Sequence, residues 1–195
     1  MTTTPDHRFL PGGLPRPTSG SWRVDPGRSH ASFAVRGAGR SVRGHLPLTG
    51  QVLITEPIED STVRLAARTS AVSTGSSWQD RLLAGPGFLD AGAFPEISFR
   101  SDLLAWVPSG WRAVGRLRVK GTEHELACRF DLRFDDPRPG CPPRLKAAGT
   151  LVIDSQWITR RWIPALDRRI EMTCSLSLEP DAACDARRTP PALSR

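Results

Sequence analysis

Apolar and polar residues alternate with a period of two along most of the chain. Ala31, Phe33 and Val35 alternate with Ser32, Ala34 and Arg36. Val63, Leu65, Ala67 and Thr69 alternate with Arg64, Ala66 and Arg68, and Ile97, Phe99 and Ser101 with Ser98, Arg100 and Asp102. Gly115, Leu117 and Val119 stand against Arg116, Arg118 and Lys120. Leu126, Cys128, Phe130, Leu132 and Phe134 form the next series, followed by Leu145, Ala147, Gly149, Leu151 and Ile153. Ile170, Met172, Cys174, Leu176 and Leu178 close it, and Val52 to Ile54 adds a less regular strand. Successive side chains of a strand point to opposite faces, so the pattern predicts about eight strands, each with an apolar and a charged face. Strands of this kind suit an antiparallel sheet wetted on one side. Eight of them in roughly 160 residues stack as a sandwich or close as an up-and-down barrel.

One helix is predicted. Ser76 is placed to cap it, with Gln79 three residues on as in a capping box, and Gly85-Pro86 stops it. Its body, Ser77 to Ala84, is too short to stand alone, so Trp78, Leu82 and Leu83 should dock it on the sheet or at one barrel end. The segment Gly87 to Ser101 reads as a tight corner feeding a strand. Pro95 biases Phe94 to an extended conformation, which sets the register of Ile97, Phe99 and Ser101. Phe88, Phe94 and Phe99 are expected to hold that corner. Lys120-Gly121-Thr122-Glu123 reads as a tight turn, and Asp135 to Arg144 as a longer loop.

The 195 residues fit one domain, and 18 Pro with 17 Gly argue against long helices. Residues 1–21 read as a disordered leader without a signal-peptide apolar run, 22–180 as the β domain and 181–195 as a tail. A cytoplasmic location follows as the expectation, since no stretch has the ~18 apolar residues of a membrane span. The formal charge of +7 permits an anionic partner without selecting one. Arg112, Arg116, Arg118, Arg129 and Arg133 should share an outer face, while Phe130 and Phe134 point away from it. That arrangement fits a solvated basic face better than stacked nucleic-acid bases; the alternative function is a stress-response or interaction module using this face on an anionic membrane or nucleic acid. Trp157 to Ile163 forms a mixed Trp/Arg patch, suited either to a lipid headgroup interface or to a loop over a barrel mouth.

No motif for catalysis is present: no GxSxG elbow, P-loop or HExxH. His30 near Asp25 and Ser29 lacks a third group to orient it, and Asp80 and Asp90 read as cap and turn residues. Cys128, Cys141, Cys174 and Cys184 show no metal-ligand spacing; Cys128 and Cys174 fit apolar strand faces as small hydrophobes. The chain therefore reads as a non-enzyme with no cofactor and no metal.

Trp22-Arg23-Val24-Asp25-Pro26, Gly44 and Gly50, and Ala71 to Gly75 fall in an order that resembles the YceI family of lipocalin-like barrels binding polyisoprenoid-type lipids. Gln79 to Leu83, the corner from Phe88 to Ser101, and Gly115 to Gly121 extend the resemblance over roughly residues 22 to 179. Arg28, Gln79, Leu82 and Lys120 stand where the family pattern has His, Arg, His and His, and Gly37 where a His is common. The resemblance implies an eight-stranded antiparallel lipocalin-like β-barrel with one short helix, its apolar face turned inward. It implies as partner one apolar lipid-like molecule, a polyisoprenoid or fatty-acid derivative; a homodimer is compatible. The wall is expected to include Phe33, Val35, Leu65, Phe99, Leu117 and Val119. Phe130, Leu132, Leu151, Ile153 and Met172 should continue it, with Phe88 beside the mouth and Trp78 covering it. A barrel of eight strands can also be filled by its own side chains, so interior volume decides between carrier and packed core.

Overall fold

A computed structural model describes residues 19–37, 40–107, 110–134, 144–159 and 167–181. Ten strands run in chain order: β1 (Gly20–Val24), β2 (His30–Gly37), β3 (Arg40–Pro47), β4 (Thr49–Ile54) and β5 (Thr62–Arg68). The helix α1 (Ser77–Ala84) follows, then β6 (Glu96–Val107), β7 (Gly110–Val119), β8 (Thr122–Phe134), β9 (Leu145–Asp154) and β10 (Arg169–Pro180). All pairings are antiparallel. The order β1-β4-β5-β6-β7-β8-β9-β10 returns from β10 to β1 and closes the barrel.

Ten strands make eight rows. β1 and β2 lie one after the other along β10, broken at Asp25 to Ser29, and β3 and β4 continue the next row. The break is held by buried Ser29, whose hydroxyl accepts from the Ser177 amide at 2.9 Å. Alternation missed β3 because Arg40-Ser41-Val42-Arg43-Gly44-His45 offers one large apolar residue in six. The first strand begins at Gly20, paired with Ile54, two residues inside the expected leader. Residues 1–18 of the leader, the 135–143 part of the predicted loop and the tail from 182 lie outside the described residues.

Neighbouring rows approach closely where side chains are missing. A Cβ on Gly115 would stand 2.1 Å from the Arg100 carbonyl oxygen, and one on Gly50, at φ +148°, 2.0 Å from that of Arg64. The β7–β8 turn has Lys120 and Gly121 at positive φ, 48° and 76°, between paired Val119 and Thr122. Two such residues between paired strands match the twist of a hairpin. A register shift between Ser101 and Leu103 in β6 turns Leu104, rather than Leu103, into the barrel. Ser101, buried at that point, donates no apolar area; its hydroxyl accepts from the Val63 amide at 2.8 Å.

One end of the barrel is closed by the largest buried cluster. Trp22, Ile54, Ile58, Leu104, Trp111 and Leu178 are buried together there. Trp111 meets Trp106 edge-on at 5.4 Å and stacks on Phe130 at 6.3 Å. The opposite end carries α1, the 85–95 corner, the β7–β8 turn and the segment after β9. No described helix is long and apolar enough to cross a membrane.

Candidate ligand-binding cavity

Between the packed end and the loop-bearing end, the inward faces leave a cavity of about 530 Å³. It lies within the 300–1,000 Å³ typical of small-molecule sites, so the interior is not a filled core. Its wall comes from nearly every strand. Phe33 and Val35 of β2, Leu65 of β5 and Phe99 of β6 line it. So do Leu117 and Val119 of β7, Phe130 and Leu132 of β8, Leu151 and Ile153 of β9, and Met172 of β10. Phe88 and Trp78, expected at the mouth, line it as well.

Several lining residues escaped the sequence reading. Val42 and Leu46 belong to the unrecognised β3, and Ile58 to a 3₁₀ turn. Trp111, Ala113 and Cys128 continue the in-facing series of β7 and β8; the signal was the same alternation extended toward the packed end. Ser155, Ile158 and Thr159 arrive from the segment after β9, which carries no strand period.

Trp78 departs from expectation. It lines the cavity yet is 65% exposed, and no residue of α1 is buried. The helix therefore stands at the rim rather than covering the mouth. Its predicted capping box is absent: Ser76 makes no side-chain cap bond. Asp80 instead accepts from both the amide and the hydroxyl of Thr74, each at 2.7 Å, tying the helix to the strand-end before it.

The corner beyond α1 is clasped across the barrel end. Lys120 donates its ammonium to the Phe88 carbonyl at 2.7 Å and the Ile158 carbonyl at 3.2 Å. Buried Thr159 donates to the Gly87 carbonyl at 2.9 Å. Phe94 lies against Gly121, its ring edge 3.2 Å from where a Cβ would be. His124 stacks on Trp157 at 4.1 Å; residues 160–163 of the Trp/Arg patch lie outside the described residues. Asp154 closes the base of that segment through the Gln156 amide and Arg168. The Gln156 hydrogen bond, then Arg168, holds its carboxyl below the ordinary 3.8.

Arg129 is the charged residue at the cavity wall, and it is exposed. The wall's two thiols, Cys128 and Cys174, are free, and burial raises both above the ordinary 9.0. Cys174 reaches about 11, first through burial and then through the neighbouring Cys128. Both stay protonated at neutral pH and serve as small apolar surface. Elsewhere the candidate polar groups do structural work. Asp25 accepts from the Gly27 amide and pairs with Arg28 and Arg144, and His30 lies edge-on to His45. Among the described residues no cluster could hold a metal ion. On the outer face, Arg112, Arg116, Arg118, Arg129 and Arg133 are exposed as expected. Arg116 is partnered by Asp102 at 3.3 Å and Glu123 at 3.8 Å, so that face is mixed rather than uniformly basic.

Comparison with known proteins places these features. The family model for the YceI-like domain matches residues 22–173. The structure is similar to that of BcnA from Burkholderia cenocepacia, with a TM-score of 0.70 at 15% identity, covering 79% of this chain and 98% of that one. It is also similar to a polyisoprenoid-binding domain from Saccharophagus degradans implicated in plant cell wall breakdown, with a TM-score of 0.61 at 10% identity, covering 82% and 98%. A mutant Campylobacter jejuni YCEI protein with a monobromobimane guest gives 0.61 at 13% identity, covering 72% and 85%. No protein of curated function matches the sequence.

Proposed function

This chain belongs to the family of YceI-like domains, and from that premise we propose that it carries one long apolar molecule inside its barrel without chemically changing it. The observation that carries this reading is the cavity of about 530 Å³, walled by aromatic and aliphatic side chains. Apolar surface withdrawn from water contributes ~25 cal/mol per Å2, so a hydrocarbon chain is held without an ionic anchor. A water molecule takes about 30 Å³ of liquid volume and a methylene is of similar size, so the space fits roughly 15–20 carbons, or three to four isoprene units. A polyisoprenoid tail or a fatty-acid derivative is the ligand class proposed. The polyisoprenoid-binding description of the Saccharophagus degradans domain supports the former. Longer chains extend past the rim at Trp78.

Cys128 and Cys174 face the space the ligand would fill, and they provide the test. In a Cys141→Ser/Cys184→Ser background, maleimide labelling of the two wall thiols is followed with and without geranylgeraniol. The expected result is slow labelling that geranylgeraniol slows further. Labelling unaffected by geranylgeraniol or palmitate at saturating addition would overturn the reading.

A further inference from the structure

We propose that the rim of the cavity docks on an anionic lipid bilayer through α1, with Trp78 and Leu82 entering the headgroup–acyl boundary. This rests on the carrier reading and adds the surface at which cargo is exchanged. Trp78 and Leu82 are 65% and 46% exposed and lie four residues apart, on one face of the helix. Large apolar side chains left in water together mark a contact surface. Both also line the cavity, so the exposed apolar face is continuous with the interior. Whatever covers it stands directly in the path of an apolar ligand.

The size of this rim selects the partner. A Trp and a Leu offer at most roughly 300–400 Å2, well below the ~800 Å2 that each side of a stable protein interface buries. A bilayer needs only a shallow anchor of this kind, because an indole ring and an aliphatic chain partition at the boundary. Basic residues flank the anchor. Arg81 is exposed on α1, its Nε donating to the Ser77 carbonyl within the helix. Across the mouth, Val35 and Val42 line the cavity from paired positions of β2 and β3, and their neighbours Arg36 and Arg43 are exposed. None of the three guanidiniums has an ion pair among the described residues. Three acidic groups lie near them. Asp80 accepts from Thr74, and Glu171 faces outward in the same row as Arg43, the two separated by Ala34. Asp167, exposed, bonds the Arg36 carbonyl only through its own amide.

Vesicle flotation of the full chain tests this, with phosphatidylcholine vesicles and with vesicles of phosphatidylcholine mixed with phosphatidylglycerol. The expected result is flotation with the mixed vesicles that weakens with salt, lost by about tenfold or more in Trp78→Ser/Leu82→Ser. Arg36→Glu/Arg81→Glu, which touches only exposed positions, should weaken binding to mixed vesicles by about tenfold while leaving binding to neutral vesicles unchanged. Wild-type protein that stays at the bottom of the gradient with the mixed vesicles overturns the proposal, as does undiminished flotation of both variants. Uptake of the fluorophore N-phenyl-1-naphthylamine, measured without vesicles, separates the two readings. Uptake without flotation refutes the docking surface alone; flotation without uptake refutes the carrier and leaves the docking surface standing.

Discussion

At Gly50 and Gly115 the backbone of one strand lies against the carbonyl of the next, so even a methyl group has no room. Gly115→Ala or Gly50→Ala should therefore lower unfolding free energy by at least ~2 kcal/mol, through overpacking and backbone strain. Gly92→Ala, where a Cβ meets nothing within 4 Å, should stay within about 0.5 kcal/mol; urea midpoints compare the three. Alternation revealed which face Gly115 belongs to but not why it must be glycine, because the reason is a distance to another strand. Cys174 makes a pH prediction. Its thiol titrates at about 11 when folded and near its ordinary 9.0 when unfolded. The folded chain thus holds the proton more tightly, and its contribution is fully present below pH 9 and lost as pH rises toward 11. The loss is about 2–3 kcal/mol. With no tyrosine and two lysines in the chain, few other groups titrate in that window. Cys174→Ala should flatten the decline in a pH series of denaturant midpoints.

Among the elements, α1 and the corner after it depend on tertiary clasps rather than on local signals. Ser76 and Gln79 looked like a capping box, yet the Thr74 to Asp80 bonds fix the helix start. Ser76→Ala should accordingly be near neutral in thermal melts, and Thr74→Val should cost about 1 kcal/mol. Lys120→Met removes two hydrogen bonds to buried-side carbonyls and should cost roughly 1–3 kcal/mol. It should also raise hydrogen exchange selectively in residues 85–95, since the corner loses its tie to the far side of the barrel. The strands were legible because each buries one face and wets the other. β3 was not, because Gly44 leaves room for the Phe33 ring and so erases the apolar position that the alternation needed. Trp78 was read as a cover because its size suits burial, and only the placement of the helix on the rim shows it in water.

For the whole molecule, closure of an antiparallel barrel was readable from eight alternating segments and from the order of the YceI-like motifs. Whether its interior is hollow was not, since an inward-facing Leu or Phe looks the same in a filled core as on a cavity wall. The difference lies in how far apart the facing rows stand, a tertiary distance that alternation does not encode. Three buried clusters, the largest around Trp22 and Trp111, hold the barrel together around the cavity. The most direct test of the central claim is native mass spectrometry of delipidated protein against a series of prenols from geraniol upward. A single ligand should bind per chain, with affinity rising with each isoprene unit until roughly four are enclosed and then levelling off. Absence of any one-to-one adduct, or affinity indifferent to chain length, would contradict it.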